Sequence, residues 1–180
     1  MNQKRDLQLL VIIIIIGYLL NFILGFVGAC FETNSYLQIL LWQIGDTGGI
    51  TASILASRYV GAKGFHLSAA SFNMLGIVYG ISFGSFSFTQ LNADKMATIL
   101  IPMIPAALLI SLCKLFPLWT RALAVLICIP FLIMYVNIIS GTYESTNWIN
   151  YISFSGIQLL GIIWSYYIFK DYRTAMKTEK

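Results

Sequence analysis

Residues 7–28 read LQLLVIIIIIGYLLNFILGFVG, an apolar run with no charged side chain in it. As an α-helix rising 1.5 Å per residue, such a run is about 33 Å long, enough to cross the roughly 30 Å hydrocarbon core of a bilayer. A helix at a protein–water boundary needs a polar face, and here Gln8 and Asn21 are the only strongly polar interruptions. The run is therefore expected to sit in lipid. A cleaved export signal is the competing reading, since Lys4 and Arg5 precede the run and Val27-Gly28-Ala29-Cys30 loosely resembles a lipoprotein processing box. Signal cores are only about 7–15 residues long, so the run is expected to be a retained helix.

Further runs of similar length follow at about 36–59, 66–88, 97–116, 119–140 and 148–169. Aromatic residues mark several of their ends, including Tyr36, Tyr59, Trp119, Trp148 and Tyr166, as expected of rings that prefer the headgroup level. Hydrophobic residues make up 58% of the 180 and charged ones only 10%, against roughly 25% charged in soluble domains. The expected fold class is thus an all-α membrane protein, one integral domain over residues 1–180 with six transmembrane helices in an antiparallel bundle.

The basic residues orient it. Lys4 and Arg5, Arg58 and Lys63, Lys114 and Arg121, and Lys170, Arg173, Lys177 and Lys180 fall on alternate connections, with Lys95 alone on the other side. Positively charged loops resist translocation, which places both termini in the cytoplasm. The net charge of +4 belongs to span ends and tails, so membrane lipid is the expected partner and nucleic acid is not. The short loops and basic inner face suit a multi-pass protein of a bacterial inner membrane.

Asp46 is the residue from which a function can be argued. Ten residues into the second run it reaches about 15 Å, near the bilayer midplane, where an ionised carboxylate costs at least about 2.5 kcal/mol. Such an acid is expected to face the bundle interior and to hold a proton or a cation. If Trp42 and Gln43 instead belonged to a loop, Asp46 would be an ordinary acid at a helix N-terminus. The sequence Gly45-Asp46-Thr47-Gly48-Gly49 weakens a helix and suits an unwound turn with exposed carbonyls. Gln43, Thr47, Asn21, Asn73 and Gln158 are the polar residues expected to complete a substrate or ion site around Asp46.

A second pattern concerns packing. Gly76, Gly80 and Gly84 recur at four-residue spacing in the third run, and Gly48, Ala52 and Ala56 in the second. Small side chains let backbones approach closely, so these stripes are expected to pack the second and third helices together, or to serve contact with a second copy. Pro102, Pro105 and Pro130 are expected to bend the fourth and fifth helices.

No metal site, haem pair or other cofactor is expected: His66 is the sole histidine, and Cys30, Cys113 and Cys128 are scattered. No nucleophile–base pair or second intramembrane acid is present to suggest an enzyme. The leading expectation is a small transporter or channel-like protein. The alternatives are a non-catalytic subunit of a membrane complex and, third, an intramembrane enzyme acting on a lipid-like substrate.

Overall fold

The computed structural model describes residues 3–32, 34–86, 92–144 and 146–178. Six helices account for nearly all of them: α1 (Gln3–Ala29), α2 (Tyr36–Ala62), α3 (His66–Phe86), α4 (Ala93–Ile110), α5 (Leu118–Ile139) and α6 (Trp148–Thr178). All six are long and apolar enough to cross a membrane. Within hydrocarbon every backbone N–H and C=O must be paired inside its own segment, and a helix does this without a neighbour.

The helix ends follow local chemistry. Ser35 caps α2 by accepting a hydrogen bond from the Gln38 amide, and Asn92 caps α4 through the Lys95 amide. Gly64 and Gly141 take positive φ angles of 86° and 73° in the connections after α2 and α5, where a side chain would be strained. The start of α5 follows Pro117, whose fixed φ prepares a first turn.

Helices α1 and α4 start four residues before the expected spans, at Gln3 and Ala93, and two other boundaries differ by more. Helix α4 ends at Ile110, not near 116, and residues 111–117 fold back as a connection that buries Cys113 and Phe116. Ser111 closes that connection by accepting, at its carbonyl, a hydrogen bond from Arg121 Nε at 2.5 Å. Helix α6 runs to Thr178, well past 169, carrying Lys170 and Arg173 exposed on its outer surface.

The helices form a closed ring. Each packs on its neighbours in the chain, and α6 returns to α1. Large apolar side chains point outward at Ile16, Ile77, Leu126 and Val136, as a lipid-facing surface requires. Inside the ring, at the end bearing the α2–α3 and α4–α5 connections, Phe72, Phe116 and Trp164 form a ring cluster. Trp164 meets Phe72 edge-on with centroids 5.4 Å apart, and Phe116 lies 6.2 Å from both. At the same end Tyr59 donates a hydrogen bond of 2.7 Å to Asp171 Oδ2, which also pairs with Lys63 Nζ at 2.8 Å. This links the end of α2 to the extension of α6. Tyr59→Phe is expected to lower stability by about 1 kcal/mol, as for one net hydrogen bond, read as a lowered midpoint in detergent unfolding.

The glycine expectation needs correction. A side-chain carbon on Gly17 would lie 2.6 Å from the Gly48 carbonyl oxygen and 2.9 Å from the Ala52 Cβ, so Gly48 and Ala52 pack against α1. Gly76 does touch α2, at Ile54 and Ser53. Gly80 and Gly84 have nothing within 4 Å of a would-be side chain and lie open on the outer surface of α3. Ala56 is fully buried. The reason for the mismatch is register: Phe72, Leu75, Tyr79 and Ser82 are buried on α3 together with Gly76, and Gly80 and Gly84 fall beside that stripe.

Candidate functional site

Helix α2 passes through Gly45–Gly49 without a break, so the expected unwound turn is absent. The same continuity excludes a helix start at Asp46, because α2 begins ten residues earlier at Tyr36. Packing supports the glycines here. Gly45 lies against the Asn21 backbone, and Gly49 lies between the Tyr79 ring and the Asn21 side chain. Tight neighbours on two sides hold a segment whose own propensity for helix is low.

Asp46 is 7% exposed and lines a cavity of about 100 Å³ inside the ring. Its floor is Asp46 with Asn21 and Ser82; Gln158 and Ser155 of α6 form one wall. Trp42, Tyr151, Phe154 and Met96 add apolar surface. The cavity reaches Ala29 and Asn34 at the α1–α2 connection and Asn150 at the start of α6, and so belongs to that end of the bundle.

Two glycines shape the wall. A side chain on Gly25 would collide with the Gln158 amide, and one on Gly28 would come within 2.5 Å of the Trp42 ring. Their absence of bulk lets α1 receive both groups. Trp42 is then fixed by donating its ring N–H to the Gly25 carbonyl at 3.1 Å.

Four side chains of the wall are tied to backbone carbonyls. Asn21 Nδ2 donates to the Gly45 carbonyl at 3.1 Å, Gln38 Nε2 to Phe31 at 3.5 Å, and Asn150 Nδ2 to Glu144 at 3.0 Å. With the Trp42 bond, four wall donors point into backbone carbonyls. Asp46 Oδ2 and Asn21 Oδ1 are buried and accept no hydrogen bond within the protein, and the buried Tyr79 hydroxyl also has no partner. Ser82 presents its hydroxyl to the Asp46 carboxyl. Below them Tyr18 shares a 3.1 Å hydrogen bond with Ser53, and Tyr79 lies within electrostatic reach of Tyr18 and Asp46.

Of the residues expected from sequence, Asp46, Asn21 and Gln158 meet at this cavity. Gln43 is half-buried on α2 and does not line it. Thr47 is exposed, with its hydroxyl bonded back to the Gln43 carbonyl at 2.9 Å. Asn73 is exposed on the outer surface of α3 and is removed from the site. Thr47 follows Asp46 directly and points about 100° away around the helix, while Asn73 shares the outer stripe with Gly80.

Sequence reasoning missed Ser82, Gln38, Trp42 and Asn150. Ser82 stands seven residues after the buried Leu75 and three after Tyr79, a spacing that marks one helix face. Gln38 and Trp42 precede Asp46 by eight and four residues on a common face, and that signal was legible. Among the described residues no group of three or more His, Cys, Asp or Glu side chains is placed to hold a metal ion. No protein-family model, curated protein or solved structure matches the chain.

Proposed function

We propose that this chain is a small polytopic membrane transporter or channel-like protein whose polar intramembrane site, centred on Asp46, binds a proton or cation. The observation that carries this reading is the cavity itself. Asp46, whose Oδ2 is buried with no protein donor, lines a space that reaches toward one end of the ring. An acid held in lipid solely to join helices would have that oxygen satisfied by a neighbour. Packing below the site is dense, through Tyr18, Tyr79 and the Phe72–Phe116–Trp164 cluster. The arrangement corresponds to a site open on one side and closed on the other, as alternating access requires.

In the antiparallel arrangement with cytoplasmic termini, the open side is the outer one and the Tyr59–Asp171–Lys63 linkage lies on the inner one. The alternation of basic connections supports this, and a bacterial inner membrane is the setting it fits. Cys30 offers a direct test, since it is exposed at the end of the cavity while Cys113 and Cys128 are buried. Burial also pushes the Cys113 thiol up, which keeps it unreactive. An impermeant maleimide added to intact cells is expected to label the chain once, at Cys30. Labelling only after permeabilisation would reverse the orientation.

The transport reading is tested in liposomes. Proton or monovalent-cation flux is expected above that of empty vesicles, and Asp46→Asn is expected to lower it at least about tenfold, the loss of roughly 1.4 kcal/mol of site interaction. Equal flux from the two proteins, or none from either, ends the reading.

A second reading, a non-catalytic subunit of a membrane complex, draws support from the outer face of α3. Asn73 there leaves an amide exposed, and Gly80 and Gly84 leave open space around the helix backbone. A partner that co-purifies in fixed ratio, and is lost on Gly84→Leu, would favour it.

A further inference from the structure

We infer that the cavity is built for a small primary ammonium ion, an alkyl amine of roughly four to five non-hydrogen atoms. The inference rests on the cavity being a ligand site, as proposed above, and goes on to the chemistry of the ligand.

Size comes first. A dry cavity of about 150 Å³ admits benzene, so one of about 100 Å³ suits a ligand somewhat smaller than six ring atoms. Charge comes second. Among the described residues the lining holds Asp46 and no Lys, Arg or His. A carboxylate that keeps its charge at this depth requires a cationic partner, and the protein provides none there. A zwitterionic amino acid fits poorly, because its own carboxylate would meet Asp46 with no base to offset it.

Hydrogen bonding decides between kinds of cation. Asp46 Oδ2 and Asn21 Oδ1 still need donors: the Gln158 amide and Ser155 hydroxyl also line the cavity but do not bond to them, and the donors of Asn21, Gln38, Trp42 and Asn150 meet backbone carbonyls. An ammonium group brings three N–H donors on one atom. A quaternary ammonium brings none and would leave both oxygens unsatisfied.

A metal cation would satisfy oxygens, but it needs several at once, commonly with carbonyls freed by an unwound helix. Helix α2 is unbroken at Gly45–Gly49, so its carbonyls stay in the helical ladder. Above the floor, Trp42, Tyr151 and Phe154 supply aromatic surface for a short alkyl chain and for the cation as it enters.

The test uses the full chain in nanodiscs with n-propylammonium, 1-propanol as its neutral isostere, tetramethylammonium and sodium ion, read by calorimetry and by thermal shift. Propylammonium is expected to bind and to raise the unfolding midpoint, with each of the other three at least about tenfold weaker. Asp46→Asn is expected to remove the binding. The selectivity among the four probes uses only the native chain, so it stands even if the variant fails to fold. Equal or tighter binding of tetramethylammonium, sodium or propanol overturns the proposal, and so does no binding of propylammonium. Asp46-dependent ion flux without amine binding would overturn the ligand class and leave the transport reading intact. Amine binding without flux of any kind would do the reverse.

Discussion

Gly17→Leu is expected to force α1 away from α2 and to destabilise the folded chain by about 3 kcal/mol, the upper part of the range for overpacking. The added carbon meets backbone, not a flexible side chain: the Gly48 carbonyl oxygen would stand 2.6 Å away. The contact is reciprocal, since a carbon on Gly48 would lie 2.7 Å from the Gly17 carbonyl oxygen. Neither helix can yield locally, so one must move as a body. That movement would also pull Asn21 from the Gly45 carbonyl and open the cavity floor. Gly80→Leu and Gly84→Leu are the controls, with open space around both positions, and each is expected to change stability by no more than about 0.5 kcal/mol. Chemical unfolding in mixed micelles reads all three. A small effect at Gly17, or a large one at Gly84, would show that the glycine contacts lie elsewhere.

Trp164→Ala is expected to have the second large effect, again about 3 kcal/mol. Trp164 is 1% exposed and holds together Phe72 of α3, Phe116 of the α4–α5 connection and its own helix. In lipid the gain from leaving water is absent, because acyl chains are as apolar as the protein interior. What remains is the void and the lost edge-to-face contacts, and these supply most of the expected loss. If the cluster also closes the end of the site away from the α1–α2 connection, the same variant should raise leak through liposomes. Trp164→Phe, which keeps an aromatic ring in place, is expected to recover most of the stability. Similar unfolding midpoints for native and Trp164→Ala proteins would refute the role of the cluster.

Much of the fold is legible in the sequence and less of the site. The span of α1 follows from a run without charge, and Asp46 follows from its depth in the second run. Asn21 and Gln158 are found by the same depth argument. Asn73 fails it, because depth says nothing of direction around a helix. On α3 the polar Asn73 and the small Gly80 and Gly84 suggested an inward face, yet Phe72, Leu75, Tyr79 and Ser82 take that place. In water a polar stripe marks the outside of a helix, but in a bilayer both sides are apolar and the marker fades.

The sequence by itself determined that this is a six-helix chain suited to lipid and that one acid lies deep within it. Those properties are sums over individual residues, set by the transfer of each from water into hydrocarbon. Only the tertiary structure decided which faces meet: that Gly17 and not α3 receives Gly48, and that a cavity opens above Asp46. The physical reason is that lipid rewards neither face of an apolar helix over the other. Close packing between particular side chains makes that choice, and it is a property of pairs of residues far apart in the chain.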